Sequence, residues 1–388
     1  MIAPTSFFSD YGCSVRILEE IRALRRLGHD VRVSTYKNGQ DVPGLSIERT
    51  PSIPFRAHYE VGSSPHKIAF DLLLFWTVLL QALRRRPDVI HAHMHEGAFI
   101  GVVVGRLLHI PIVFDFQGSL TGEMMDHRFL RRDSPFYRPL RHLETVIDRT
   151  SRLILTSSHN ARDLLIAEFG CQPERVLTVP DGVDTGAFYP PAGGERDRLA
   201  NLRARLSVPP GRKIVVYLGL LAGYQGTDAL LEAAALMLRR RADLHFLIMG
   251  FPCVEEYRQR AKQLGIGAHA TFTGKIPYEH ARDYLALGDV AVAPKLSATE
   301  GSGKILNYMA MGLPTIAFET PVSREYLGHE GIYAERGSPG ALAEAILLGL
   351  DDPNKALRSA ALRRMAMSDH TWDQAARTIV RAYGLVSS

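Results

Sequence analysis

The sequence predicts an α/β protein built from two doubly wound, parallel-sheet domains. Three observations lead there. The 388 residues suit two domains of roughly 150–200 residues each. Short runs rich in Val and Ile alternate with helical periodicity along the whole chain. Those runs do not alternate with polar residues, as expected of strands buried on both faces of a parallel sheet.

The elements follow in order. A helix is expected over 14–27, where Ile17, Leu18, Ile21, Leu24 and Leu27 recur at helical spacing and Gly28 stops the run. VRVST (31–35) is a strand. IAFDLLLFWTVLLQAL (68–83) holds 16 residues and a charge, short of the ~20 that span a bilayer. It is read as a buried helix, with an interfacial role for Phe75 and Trp76 as the alternative. DVIHAH (88–93), IPIVFDF (110–116), RLILTS (152–157) and RVLTVP (175–180) are further strands. YPPAGGERDRLANLRARLSVPPGR (189–212) breaks the pattern with prolines, glycines and charges and reads as an interdomain linker. The alternation restarts at KIVVYLG (213–219). LHFLIMG (244–250), ATFTG (270–274), VAVAP (290–294), PTIAF (314–318) and GIYAE (331–335) follow as strands. Helices are expected at 227–240, 254–264 and 278–287, and from 338 to 384. The domains are 1–190 and 213–370, with 191–212 between them.

Net charge is +5 and the isoelectric point about 9.1. A mild excess suits a phosphorylated substrate, a polyanion or an anionic membrane surface. No nucleic-acid recognition signature accompanies it. Cys13, Cys171 and Cys253 are scattered, with no C-x-x-C pair, so neither a zinc site nor a disulfide framework is expected. That fits a reducing cytosol. The first residues show neither the basic start nor the apolar core of a signal peptide.

Open α/β sheets bind ligands at strand C-termini, so the loops there are the candidates. Gly12 precedes a helix and lets a backbone approach a ligand, or simply makes a turn. Gly219, Gly223 and Gly226 form a second glycine-rich entry into a helix. No G-K-[ST] follows and the spacing is not G-x-G-x-x-G, which counts against a nicotinamide dinucleotide fold. The stretch TEGSGKILNYMAMG (299–312) is more telling. Ser302 and Gly303 leave first-turn N–H groups open to phosphate, and Lys304 adds a positive charge where a helix alone disfavours one. Glu300 can grip sugar hydroxyls. A solvated Glu300–Lys304 pair is the plain alternative. His91, His93 and His95 alternate and would share one strand face; no cysteine or H-E-x-x-H spacing supports zinc, so the strand end is assigned to an acceptor site. Basic, aromatic-bearing 127–152 reads as a solvated helix or a membrane-surface contact.

EGSGKILNYMAMGLPTIAF resembles the E-G-x-G helix motif of family-4 glycosyltransferases of the GT-B fold, also called glycosyl transferases group 1. VLTVPDGVDTGAFYP (176–190), PDVIHAHMHEGAFIG (87–101), IPIVFDFQGS (110–119), LTSSHNARDLL (155–165), TGKIPYEHARDYLALGDVAVAP (273–294) and TWDQAARTIVRAYG (371–384) resemble other family segments, in family order. The resemblance implies a retaining hexosyltransferase. It would move a hexose from a nucleotide-diphosphate sugar, with UDP the expected base, to a hydroxyl of a glycan, a lipid-linked or a small-molecule acceptor, without metal or other cofactor. Residues 371–388 would pack back on the first domain. Catalytic roles fall to Glu300, Lys304 and Gln117. Donor contacts fall to Gly12, Gly219, Gln225, Gly226, Lys275, Ile276, Lys295, Gly301, Ser302, Gly303 and Asn307. Acceptor contacts fall to Tyr11, His93, His95 and Asp115. The implied place is the cytoplasm, with peripheral contact at the inner membrane face and no nucleic-acid partner. Departures matter too. Asn307 stands for a ribose-binding Glu, Leu220 and Gln225 for a diphosphate-clamping Arg and Lys, and Gln117 for a His. They leave open an inactive partner of another glycosyltransferase, or another GT-B enzyme such as an epimerase or phosphorylase.

Overall fold

The protein is described by a computed structural model covering residues 1–9, 12–52, 67–126, 129–297 and 300–387. It divides into two compact units. The first holds 1–181, 299–301 and 372–388; the second holds 182–298 and 302–371.

The first unit is a parallel sheet of seven strands: β1 (Ile2–Ala3), β2 (Arg32–Thr35), β3 (Ser46–Arg49), β4 (Ile90–His93), β5 (Ile112–Phe116), β6 (Ile154–Thr156) and β7 (Val176–Thr178). Their spatial order is β3-β2-β1-β4-β5-β6-β7, so the winding reverses between β1 and β4. Helices α1 (Gly12–Arg26), α2 (Lys67–Arg84), α3 (Met94–Leu108), α4 (Leu120–Asp126), α5 (Tyr137–Thr150) and α6 (His159–Ala167) connect them. β3 escaped the sequence reading because it is a four-residue edge strand whose residues are all at least partly exposed, so it lacks a fully apolar run.

The second unit is a parallel sheet of six strands in the order β10-β9-β8-β11-β12-β13. They are β8 (Lys213–Leu218), β9 (Leu244–Met249), β10 (Ala270–Gly274), β11 (Val290–Ala293), β12 (Thr315–Phe318) and β13 (Ile332–Ala334). The helices are α7 (Arg196–Arg205), α8 (Thr227–Leu238), α9 (Val254–Gln263), α10 (Ala281–Leu285), α11 (Gly303–Ala310), α12 (Pro321–Leu327), α13 (Pro339–Asp351) and α14 (Lys355–Asp369). The non-alternating apolar runs now have their reason. Val215, Tyr217, Phe246 and Ile248 pack on one face of the sheet with Leu230 and Ile346; Ile214, Val216, Leu247 and Met249 pack on the other with Ile305 and Met309. Helix α7 lies within 189–212: between its prolines that stretch carries RDRLANLRAR, all good or neutral helix formers, and Leu202 is buried.

The C-terminal helical stretch is three helices. Pro353 follows α13, and α14 ends at Asp369, capped by His370, before α15 (Trp372–Ser387) begins. Helix α15 belongs to the first unit, where Trp372, Ala376, Ile379 and Ala382 pack with Ala23 and Leu24 of α1.

The reading of 68–83 as a buried helix needs correction. Phe70, Leu74, Val78 and Ala82 are buried, but Ile68, Leu72, Trp76, Leu80 and Leu83 are exposed. Apolar residues run all round α2, and the sheet covers only one side. Among the described residues no helix is long and apolar enough to cross a membrane.

Candidate functional site

In the first unit the predicted residues gather where the winding reverses. Asp115, at the end of β5, is fully buried. It accepts Arg16 Nε at 3.0 Å and Arg16 Nη2 at 2.8 Å, a two-pronged clamp. Gln117 Nε2 donates to Asp115 Oδ2 at 2.9 Å, and His93 Nδ1 stands 2.9 Å from the same oxygen. Burial alone would lift the Asp115 pKa, but Arg16 and His93 outweigh it and hold this carboxyl well below the usual range. Burial lowers the His93 pKa, so the ring is neutral at pH 7. Arg16 also donates to Asp181 Oδ1 at 2.6 Å. Gly12 begins α1 with φ +31° and faces open space on its side-chain side, which leaves its backbone approachable. Residues 299–301 group with this unit, and the Glu300 side chain packs where a Gly118 Cβ would stand. Gly301 backs onto Asp181 and Ser157. Glu123 of α4 is pushed up to about 7, by burial first and by the Glu300 charge second.

His95 goes elsewhere. β4 ends at His93, and Met94, at φ +58°, starts α3. The three histidines therefore do not share a strand face. His95 is buried between α3 and α5, with Nε2 3.2 Å from Asp148 and 3.7 Å from Glu144. Burial works against its charge, but Asp148 prevails and raises its pKa. Tyr11 lies outside the described residues.

In the second unit the loops after β8 and β11 meet at the winding reversal of that sheet. Leu296 N donates to Tyr224 O at 2.9 Å, binding one loop to the other. Helix α11 starts at Gly303, and the backbone N–H of Leu218 donates to Tyr308 Oη at 2.8 Å, fixing the helix against β8. Lys304 Nζ donates to Gln225 Oε1 at 2.9 Å and lies 4.6 Å from the Tyr217 ring centre. Gly226, at φ +76°, must be glycine, because a Cβ there would strike the Pro294 carbonyl; a Cβ on Gly219 would displace the Lys304 Nζ. Ser302 caps α11 without a side-chain cap bond, and its buried Oγ has no partner among the described residues. Lys295 is buried in the same loop and Asn307 is half-buried on α11. Lys275 and Ile276 stand apart, after β10, which β9 separates from β8. Lys275 is exposed over the Phe251 ring and Ile276 is buried.

Lys304, Gln225, Gly219, Gly226, Ser302 and Gly303 are thus brought together, as are Asp115, His93 and Gln117. Sequence reasoning missed Arg16, Asp181, Glu123 and Tyr217. An arginine inside the apolar run VRILEEI was the one available signal for Arg16.

Two family models divide the chain between them. Residues 12–187 match Glycosyltransferase Family 4, and residues 212–352 match Glycosyl transferases group 1. A D-inositol 3-phosphate glycosyltransferase of Catenulispora acidiphila is 27% identical over 96% of this chain and 90% of its own length. A sucrose-phosphate synthase structure from Thermosynechococcus elongatus superposes with a TM-score of 0.83 at 17% identity, covering 99% of this chain and 97% of that one. Anabaena HepE in complex with UDP and glucose superposes with a TM-score of 0.77 at 15% identity, covering 99% and 98%. With a family-4 domain leading, a group-1 domain following and a doubly wound sheet in each, this chain belongs to the GT-B glycosyltransferases.

Proposed function

We propose that the protein is a retaining, metal-independent hexosyltransferase whose donor is a nucleotide-diphosphate hexose, UDP-linked first among them. One observation carries the donor assignment: Lys304 and the N-terminus of α11 stand beside the Gln225 loop at the winding reversal of the second sheet. First-turn N–H groups and a cation at one helix start suit a diphosphate, and they stabilise it best as it leaves with growing charge. Lys304 thereby takes the part a metal ion plays elsewhere. Ser302 offers a buried hydroxyl to the same group, Asn307 an amide to ribose, and Lys275 and Ile276 flank the base. Glu300 holds the hexose hydroxyls. Gln117 contacts the sugar but lacks the basicity of a general base.

The acceptor falls to the first unit, beside Gly12 and Tyr11, with His93 and Asp115, both fully buried, backing that place and not touching the acceptor. The Catenulispora relative acts on a phosphorylated cyclitol by its name. A phosphorylated polyol or a lipid-linked sugar therefore heads the list of acceptors, and the exposed apolar stripe of α2 favours the lipid-linked one. We place the protein in the cytoplasm, touching the inner membrane face through that stripe.

The test is calorimetry with UDP-, GDP- and ADP-hexoses on the wild type and Lys304→Ala. The variant should bind the preferred donor at least ~10-fold more weakly, about 1.4 kcal/mol. Proton NMR of the product anomer then checks retention. Silence from every sugar nucleotide would remove the donor assignment and favour an inactive homologue.

A further inference from the structure

We propose that the first unit carries a buried site for a divalent transition metal of the zinc class, formed by Glu20, His91 and His93.

The three side chains converge on one point. Glu20 Oε2 lies 3.8 Å from His91 Nε2 and 4.0 Å from His93 Nε2. All three residues are at most 2% exposed. None of these three atoms has a hydrogen-bond partner among the described residues. Buried polar atoms without partners are costly, and three in one spot ask for an occupant.

The other ring nitrogens tell what kind of occupant. His93 Nδ1 is 2.9 Å from Asp115 Oδ2. Asp115 is held ionised by Arg16 and only accepts, so His93 carries its proton on Nδ1 and presents a lone pair at Nε2. His91 Nδ1 is 2.8 Å from Tyr383 Oη. Such outer partners orient imidazoles whose second nitrogen ligates a metal. The Glu20 carboxyl thus faces the His93 Nε2 lone pair, with His91 Nε2 beside it on the stacked neighbouring ring.

Charge points the same way. Arg16 makes ion pairs with Glu20 at 3.0 Å, Asp115 at 2.8 Å and Asp181 at 2.6 Å. Arg16 is thus shared among three carboxyl groups, and a cation beside Glu20 would add to what it supplies alone. Two imidazoles with one carboxylate form a ligand set that zinc accepts. Bonds of about 2.0–2.2 Å would draw the ligands in by roughly half an ångström. The other acidic cluster with a histidine differs. There Glu144 accepts from Ser119 and Thr121, and His95 Nε2 stands 3.2 Å from Asp148, closer than Glu20 stands to either of its histidines. The proposed metal would join α1 to β4 and, through Tyr383, support α15. Being buried, it would enter as the unit folds.

The test uses the full chain, freed of any histidine tag and refolded with Zn²⁺ alone or with Co²⁺. Stoichiometry comes from elemental analysis after dialysis. Wild type should retain one Zn²⁺ per chain, give visible Co²⁺ ligand-field bands and melt at a higher temperature with metal. Glu20→Gln should lose affinity at least tenfold with its circular dichroism unchanged, whereas Asp148→Asn should bind as wild type does. Retention of wild-type affinity by Glu20→Gln overturns the site. If Glu20→Gln fails to fold, the wild type decides: no retained Zn²⁺ and no Co²⁺ bands overturn the proposal, and the gap then holds a proton or water.

Discussion

Arg16 is 5% exposed and anchors three carboxylates, so its removal is a sharp probe of the first unit. Arg16→Met should lower unfolding free energy by about 3–5 kcal/mol, because it strands buried negative charge. Chemical denaturation at pH 7 measures this. Arg16→Lys should be intermediate, since an ammonium cannot make the two-pronged bond to Asp115. None of this was legible in the sequence. Arg16 reaches Asp115 across 99 positions and Asp181 across 165, and no local pattern reports such distances. Lys304 was legible for the opposite reason. Its oddity is local: a cation in a first helical turn among small residues. Its partner Gln225 was found only as a replacement for a family lysine, and Tyr217 not at all, because a tyrosine inside a strand reads as core.

Among the elements, strands and helices with a strong apolar period were readable, and short or two-faced ones were not. β3 was missed because an edge strand need not be apolar. Helix α2 was misjudged because composition reveals how apolar a helix is, not how much of it the sheet covers. Its exposed stripe of Ile68, Leu72, Trp76, Leu80 and Leu83 is a contiguous apolar face of the kind that marks an interaction site. Replacing Leu72 and Trp76 together with serine should cut binding to phosphatidylglycerol vesicles about tenfold and leave stability nearly unchanged. Vesicle sedimentation and thermal melting check the two halves of that statement. In β9, His245 is buried against Thr271, with Nε2 2.9 Å from Oγ1. Burial lowers its pKa to about 4. Between pH 4 and the ordinary value of 6.5 the unfolded chain binds more protons than the folded one, so stability rises with pH there and falls on acidification. The loss should approach roughly 2–3 kcal/mol. His245→Gln should flatten that slope in urea titrations at pH 4.5 and 7.

At the scale of the whole molecule, the division into two units was readable from the restart of the strand–helix alternation. The return of the last helix was not in any periodicity; it came from resemblance to a family. Helix α15 supplies Trp372, Ala375, Ile379 and Ala382 to the core beside α1, and Tyr383 to His91. Deleting 371–388 should therefore damage the first unit rather than the second. Hydrogen exchange of the truncated protein should show protection lost over β4, β5 and α1 and kept over β8, β9 and β11.

That return has a consequence for synthesis. Domains of a growing chain ordinarily fold as they leave the ribosome, first domain first. Here the first unit waits for residues 372–388, which follow the whole of the second unit in the chain. Until α15 is synthesised, the α1 face beneath it stays uncovered while the second unit can already close. The amino-terminal half is thus the last to mature, and it is the half for which a nascent chain would need a chaperone's protection.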